Sequence, residues 1–459
     1  DSRTPRQIQK KLGRQNKKLK NLNFEDFCRQ NNSIPSPNLH INVENNNNST
    51  ITSIANVKKL RLLVKQSDEN VVLPTPGAAA EDSHRDTPDA STTFDNNNPA
   101  SINLDNYTYA DENKYEIDNV NVGELFKKYQ LKAAKQIKEK GCFLESDIQE
   151  LLAMNNILLI KPGQTSPLVS SIFNEACILS IQHKIKQIFG IIDSADINAD
   201  VKVKIEKILK DTKSHTITMT KATKKLNDVL SDNDYKNYDD MIVIGIRNLL
   251  EIIPKYKFNG LINENQVGCS YANPVLSPIF NNPDKRSHLH WLNIKVLESN
   301  SKQPDFGGNL LENSNWVGPV LVGEVKGEDK KDDVYMCLMD LFRIGSLSME
   351  SINHNKYKGV IGIQVIGMQV TFYISTLLSK NFYVMMEICS ITLPKDLTEI
   401  MSYFANVSDM LPVLQYYENS FELMNNLVSE SHMDTIVDSK KIVCLSKDRK
   451  RKCPVVLSH

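Results

Sequence analysis

The chain has 459 residues, 40% of them apolar, and its formal net charge is zero. This length allows two domains of modest size, and the balanced charge excludes a uniformly basic nucleic-acid binder or an acidic mimic. The eight cysteines are scattered, without a CxxC pair or a zinc-type Cys/His spacing, so we expect reduced thiols. No apolar run is long enough to span a bilayer, so we expect no membrane partner. GxxxxGK[ST], GxGxxG and GxSxG patterns are absent, which counts against nucleotide-binding proteins and serine hydrolases.

Residues 1–116 form an Asn-rich region that we expect to be disordered. Asn, Ser, Thr, Asp and Pro dominate it, and its apolar surface is too small to offset the entropy of ordering. The stretch from Val57 to Val64 is an exception, because basic and aliphatic residues mix there. We favour a transient helix over a docking motif for this stretch.

Basic clusters lie near both ends of the chain. Residues 1–20 contain eight Lys or Arg against one acidic residue, and the basic tail 431–459 contains a run from Lys447 to Lys452. Such clusters suit nuclear import or non-specific contact with phosphates. We therefore predict a nuclear protein, with the cytoplasm as the alternative. The first residue is Asp1 rather than Met, which is compatible with a fragment of a longer protein.

Residues 117–256 predict an all-helical domain. Apolar residues recur there at steps of three and four, as in the isoleucine stripe from Ile178 to Ile192. Ser146 and Gln149 predict a helix start through a capping box, and Pro254 ends the last helix. We interpret these stripes as core, and the domain as a scaffold, a substrate clamp or a surface for a protein partner.

Residues 257–430 predict an α/β domain. Helices are predicted from Asn263 at least to Pro274, from Asp332 to Asn353 and from about Asp396 to Val428. The second of these has an apolar inner face of Val334, Cys337, Leu338, Leu341 and Ile344. Val, Ile, Phe and Tyr predict strands at Ser287–Val296, Val317–Lys326, Gly359–Ile366, Met368–Ser375 and Phe382–Thr392.

Charged residues at the end of one apolar strand are the clearest indication of chemistry. Glu324 and Lys326 lie two residues apart, so their side chains project from the same face of the strand. If Asp305 begins the neighbouring strand and residues 307–316 form a hairpin loop, Asp305 lies across from Glu324. Two carboxylates suit Mg²⁺, with Mn²⁺ as a possible substitute, and the ammonium would stabilise charge during attack on a phosphodiester.

Pro304-Asp305 and Glu324-Val325-Lys326 resemble the motif of the PD-(D/E)XK nuclease superfamily, which has the restriction-endonuclease-like fold. The resemblance covers about 130 residues and implies an α-β-β-β-α-β core with a mixed sheet. It implies that Asp305, Glu324 and Glu264, on the first core helix, bind the metal, and that Lys326 supports attack by water. Asp340, Arg343 and Gln364 are weaker matches to polar positions of the family. The chain is also similar to a group of uncharacterised fungal proteins with an equivalent Asp, a GEVK-like strand and a DLxR-type helix.

Two alternatives concern the same strand. Glu324 and Lys326 would be a solvated strand end in the first, and in the second the fold is retained while the site has lost its activity. His288 and His290 share a strand face, but they lack a third metal ligand nearby in sequence. Trp316 would either stack on a base or cap the sheet.

The sequence therefore predicts a metal-dependent nuclease, or a protein derived from one, that acts on DNA rather than RNA. The rival hypothesis is a non-enzymatic nuclear interaction protein on a degenerate nuclease scaffold. A third hypothesis is a DNA-binding module that does not cleave.

Overall fold

A seven-stranded mixed sheet with helices packed against it forms most of the described chain. The computed structural model describes residues 115–140, 143, 145–193, 195–231, 237–291 and 303–423. The predictions for the Asn-rich region up to residue 114, for the stretch from Val57 to Val64 and for the basic tail lie outside these residues. The predicted α/β character is confirmed as a mixed α/β fold.

The sheet combines parallel and antiparallel neighbours. The strands are β1 Glu116–Ile117, β2 Val120–Asn121, β3 Ile157–Ile160, β4 Ser287–Trp291, β5 Phe306–Glu312, β6 Asn315–Lys326, β7 Val360–Ile366, β8 Gln369–Ser379 and β9 Phe382–Thr392. The main sheet has the order β3-β9-β8-β7-β6-β5-β4, and β1 and β2 form a separate pair. The β3/β9 and β6/β7 pairs are parallel, and the other neighbours are antiparallel.

Helices precede the sheet region, lie between its strands and follow it. The α-helices are α1 Val122–Lys140, α2 Ile148–Ala153, α3 Pro167–Ser170, α4 Glu175–Phe189, α5 Ala199–Lys213, α6 Met219–Leu230, α7 Asn237–Ile252, α8 Glu264–Gln266, α9 Asn273–Phe280, α10 Val334–Asn355, α11 Ile400–Ala405 and α12 Leu411–Ser420. A π-helical turn, Val267–Ala272, joins α8 to α9, so the predicted helix passes through Pro274. No described helix is both long and apolar enough to cross a bilayer.

Helix α4 carries most of the predicted isoleucine stripe. Asn174 caps its start by accepting a hydrogen bond from the Cys177 N–H at 2.8 Å. Ile181 and Ile185 are fully buried, as a core stripe requires. The helix ends at a left-handed glycine, Gly190, so the last predicted member of the stripe, at position 192, lies beyond the helix and is 62% exposed.

The predicted capping box at the start of α2 is not formed. Asp147 is the N-cap residue, and it makes no side-chain capping hydrogen bond. Gln149, the predicted partner of Ser146, points instead to the loop after β3, where its Nε2 donates to the Gln164 carbonyl at 3.2 Å. Its Oε1 accepts a hydrogen bond from the Ser166 N–H. Gln149 therefore connects this loop to α2.

Strand β3 corrects the prediction of an all-helical domain over residues 117–256. All four of its residues are buried, and Ile157 to Ile160 pair in parallel with Tyr383 to Met386 of β9. A four-residue apolar run between helices is too short for its periodicity to separate strand from helix. The helical region therefore contributes a strand to the main sheet, and both regions contribute to one hydrophobic core cluster.

Helix α10 covers one face of the sheet beside the candidate site. Asp333 caps its start by accepting a hydrogen bond from the Met336 N–H at 3.1 Å, and its C-cap residue, Lys356, has left-handed backbone angles. The predicted inner face is confirmed, because Cys337, Leu338, Leu341 and Ile344 are buried and Val334 is half-buried. This helix packs against β6, β7 and β8.

The hairpin between β5 and β6 is tighter than the sequence predicts. The sequence predicts a loop over residues 307–316, but most of them pair as strand, and only Asn313 and Ser314 form the turn. Both turn residues have positive φ, at 48° and 65°, as a two-residue hairpin turn requires. Gly307, which reads as a loop residue in sequence, lies against β6, where an added Cβ would be 3.2 Å from the Leu321 carbonyl oxygen.

Candidate active site

The candidate site lies where strand β6 ends and strand β5 begins. The two strands are antiparallel and Phe306 pairs with Gly323, so the next residues, Asp305 and Glu324, are neighbours across the strands. The Asp305 carboxylate accepts a hydrogen bond from the Val325 N–H at 2.8 Å, which holds it against β6. The structure thus places Asp305 beside Glu324, as the sequence predicts from strand alternation.

Lys326 lies among three carboxylates. Its ammonium nitrogen is 2.9 Å from Asp340 Oδ2, 3.6 Å from Glu264 Oε2 and 4.0 Å from Asp305 Oδ2. Lys326 is 8% exposed and Glu324 is 1% exposed, so the alternative of a solvated strand end is wrong. Burial by itself lowers the pKa of Lys326, but the nearby carboxylates, Asp340 first, outweigh it and raise that pKa. Lys326 therefore remains protonated.

Glu264 reaches the cluster because the start of α8 packs against the chain that leaves β6. An added Cβ at Gly327 would lie 2.6 Å from the backbone nitrogen of Glu264, so a side chain there would block the approach. The Glu328 N–H donates to the Ile262 carbonyl at 2.8 Å and joins the two segments. The Glu264 side chain is 45% exposed, which makes it the most solvent-accessible carboxylate around Lys326.

Helix α10 supplies two further members of the cluster. Arg343 Nη1 is 2.7 Å from Glu324 Oε2 and 3.3 Å from Asp340 Oδ1. In the sequence, Asp340 and Arg343 are only secondary candidates. Their spacing of three residues places both on one side of a helix, but which strand that side meets depends on the packing of α10 on the sheet. The structure brings both residues into the cluster.

Gln364 does not take part in the charged cluster. It is the register neighbour of Glu324 on β7, and its Nε2 donates a hydrogen bond to the Cys337 carbonyl at 2.6 Å. Gln364 therefore holds α10 against the sheet and acts as a structural residue.

The cluster carries more acidic than basic groups. Four carboxyl groups, Glu264, Asp305, Glu324 and Asp340, face the ammonium of Lys326 and one guanidinium. Burial, together with the charges of Asp305 and Asp340, raises the pKa of Glu324 to about 9. Burial also raises the pKa of Asp340 to about 6, although the cations oppose this shift. A site that raises the pKa of its own carboxyl groups favours an added cation.

The donor set fits a hard divalent cation. Glu324 Oε1 is buried and has no hydrogen-bond partner among the described residues, and the other available donors are carboxylate oxygens. Mg²⁺ and Mn²⁺ take oxygen ligands of this kind. No three His, Cys, Asp or Glu side chains of the described residues lie close enough to form a ready metal site. Lys326 and Arg343 supply the positive charge among the carboxylates in this arrangement.

His288 and His290 lie apart from this donor set and pack against Trp316. The ring centroids of His288 and Trp316 are 5.1 Å apart, and those of His290 and Trp316 are 4.7 Å apart. The possible histidine metal pair of the sequence thus belongs to an aromatic cluster.

Three comparisons searched for proteins similar to this chain. No family model, no curated protein and no solved structure matches this chain. The likeness to the nuclease superfamily therefore depends on the motif residues and on the order of the elements.

Proposed function

We propose that this protein is a metal-dependent nuclease of the PD-(D/E)XK type, or is derived from one, and acts on DNA in preference to RNA. One observation carries the proposal: the carboxyl groups of Glu264, Asp305 and Asp340 meet around the buried Lys326, beside the buried Glu324. Burying several carboxyl groups together is costly unless a cation compensates them. Lys326 and Arg343 compensate part of this charge, and a catalytic metal would compensate the rest.

The element order supports the same proposal. From Glu264 to Ile366 the chain forms a helical segment, the strands β4, β5 and β6, the helix α10 and the strand β7. The superfamily resemblance implies the same order of helix, three strands, helix and strand, and this agreement supports the proposal. Within it, Asp305 precedes the second strand and Glu324 lies near the end of the third, at the expected positions.

Each charged residue of the cluster would have a separate role in phosphodiester hydrolysis. Asp305, Glu324 and Glu264 would have to move closer together to hold Mg²⁺ or Mn²⁺, and the metal would supply an activated water and neutralise charge on the phosphate. Lys326 would orient the attacking water and stabilise the charge that develops on the phosphate oxygens. Arg343 keeps Glu324 in place through its 2.7 Å ion pair.

The test is cleavage of plasmid and oligonucleotide DNA in Mg²⁺ or Mn²⁺ by the full chain. Asp305→Ala and Lys326→Ala should each reduce cleavage at least about 100-fold. Asp228→Ala and Lys221→Ala are matched controls, since both side chains are exposed on helix α6.

Melting temperatures of all four variants check that the protein still folds, and Asp305→Asn keeps the shape of the side chain if Asp305→Ala does not fold. The same measurement follows the metal, which should raise the melting temperature of the unchanged protein more than that of the Asp305 variant. Cleavage that survives both site substitutions would eliminate the proposed site.

The ion pairs of the cluster favour a second candidate function. Arg343 already pairs with Glu324 and Lys326 with Asp340, as expected where a degenerate site has kept its scaffold. The protein would then be a non-enzymatic nuclear interaction or DNA-binding protein, with the helical region as the surface for a protein partner. Binding of DNA that weakens with salt, without cleavage in either metal, would support this function.

A further inference from the structure

An exposed aromatic cluster lies on the strands beside the candidate site. Trp316 is 45% exposed, and the rings of His288 and His290 stand nearly perpendicular to its indole, at 79° and 87°. Both imidazoles are half-buried. The indole is therefore supported by two rings and still presents a large surface to solvent.

The aromatic cluster shares a sheet face with the carboxylates. His290 of β4 pairs with Gly307 of β5, and Trp316 of β6 pairs with Leu311 of β5. Gly307 and Leu311 are alternate positions of β5, so the two rings lie on the same face of the sheet. Asp305 continues the same alternation, two residues before Gly307. Along β5, Asp305 therefore lies roughly 7 Å from the level of His290 and roughly 20 Å from that of Trp316, with a register shift between β5 and β6 at Gly308–Leu310.

The rim of the cluster carries Arg286, together with the exposed acidic residues Asp284 and Glu312. Arg286 is exposed, and its carbonyl oxygen accepts a hydrogen bond from the Leu311 N–H at 2.8 Å, which places it at the level of Trp316. The Arg286 guanidinium suits a phosphate that follows a stacked base. Burial, with the neighbouring His288, lowers the pKa of His290, so its ring is neutral at neutral pH.

We propose that His288, His290 and Trp316 form a stacking platform for an unpaired base of a strand whose phosphate is held at the candidate site. The proposal rests on the proposed nuclease function and specifies its substrate class as single-stranded or frayed nucleic acid. A base within a duplex is already stacked on its neighbours and cannot present its face to an indole. A base in a single strand is free to do so.

The test measures binding of a fluorescent single-stranded oligodeoxynucleotide to the full chain in EDTA, which prevents cleavage. Trp316→Ala should weaken binding about tenfold, the typical loss for one stacked base. Trp316→Phe should retain most of the affinity, because it keeps an aromatic face. Tyr256→Ala is the matched control and should bind normally, since Tyr256 is a 69% exposed aromatic that packs beside a different histidine, His215.

A DNA duplex and an RNA strand, used as two further probes, determine the substrate class. The same sequence as a blunt duplex should bind Trp316→Ala and the unchanged protein equally, and the matching oligoribonucleotide shows whether DNA is preferred to RNA. Equal single-strand affinity of Trp316→Ala and Tyr256→Ala would overturn the platform and leave Trp316 as a cap on the sheet. An equal loss on single strand and duplex would overturn it as well.

This outcome is separable from that of the nuclease proposal. If no metal supports cleavage but Trp316 still contributes to single-strand binding, the nuclease proposal fails and the platform stands. If cleavage of single strands depends on Asp305 and Trp316→Ala leaves their KM unchanged, the platform fails and the nuclease stands.

Discussion

Glu324 is the residue on which burial and charge act most strongly within the candidate site. It is 1% exposed, one carboxylate oxygen pairs with Arg343, and the other has no hydrogen-bond partner among the described residues. Its pKa of about 9 lies far above the ordinary value of 4.5, chiefly because of burial. Burial therefore favours the protonated form of Glu324 in the folded chain, whereas the Arg343 ion pair favours the carboxylate.

Glu324→Gln should remove a pH dependence of stability. Because the folded pKa is raised, the stability contributed by Glu324 is fully present below about 4.5 and is lost as pH rises towards about 9. We expect the metal-free unchanged protein to lose melting temperature across this window, and Glu324→Gln to lose less. Thermal melts in EDTA at several pH values measure this, and parallel curves for the two proteins would contradict it.

Two glycine-to-alanine substitutions should change the free energy of unfolding in opposite directions. A Cβ at Gly323 would lie 2.0 Å from the Phe306 ring, so Gly323→Ala should destabilise the protein by about 1–3 kcal/mol through overpacking. Gly245 lies in helix α7, where the nearest atom would be 3.8 Å away, and Gly245→Ala should stabilise by up to about 1 kcal/mol. Urea unfolding measures both. Equal effects of the two substitutions would argue against the close packing of Phe306 on β6.

Among the secondary-structure elements, the sequence predicts those that are long enough to show a complete apolar periodicity. Strand β9 and helix α10 agree with prediction to within two residues, since each is long and has a regular apolar pattern. Strand β3 was missed because its four apolar residues have no period. Most of strand β5 was predicted as hairpin loop because its glycines suggest a loop, whereas the close approach of β6 requires them.

Lys161 tests the pairing of β3 with β9. Lys161 follows the last residue of β3, and its ammonium nitrogen lies 2.8 Å from Glu387 Oε2 of β9. The side chains of Lys161 and Glu387 are 2% and 13% exposed. Lys161→Met should cost about 3 kcal/mol, because it leaves a buried carboxylate unpaired, and Glu387→Gln in the same chain should recover part of the loss.

The control for this prediction is Lys210→Met in helix α5. Lys210 forms an exposed pair with Glu206 at 2.7 Å, and its loss should cost less than about 0.5 kcal/mol. Urea unfolding compares the two variants, and equal costs would show that the Lys161 pair is not buried in solution.

For the molecule as a whole, the candidate site was more predictable than its surroundings. Alternation along two strands was sufficient to bring Asp305 beside Glu324. The ion pair of Arg343 with Glu324 was not predictable, because it depends on how α10 lies on the sheet. The pairing of β3, from the helical region, with the main sheet was also not predictable, since strand pairing between distant segments leaves no local sequence pattern.

A chain cut at the predicted boundary tests this arrangement. A fragment of residues 257–459 lacks β3 and helix α2, so β9 loses its parallel neighbour and α10 loses the contact between Gly345 and Leu152. We expect it to show no cooperative thermal unfolding by circular dichroism, unlike the full chain. A cooperative transition in the fragment would instead support an independent domain beginning at 257.

The pairing of β3 with β9 also bears on how the protein is made. Ile157 pairs with Tyr383, 226 residues later in the chain. At ordinary rates of translation, roughly 10–45 seconds pass between the synthesis of the two strands. During this time four consecutive apolar residues have no partner strand and are open to aggregation. Nascent chains of this protein should therefore depend on chaperones until β9 has left the ribosome.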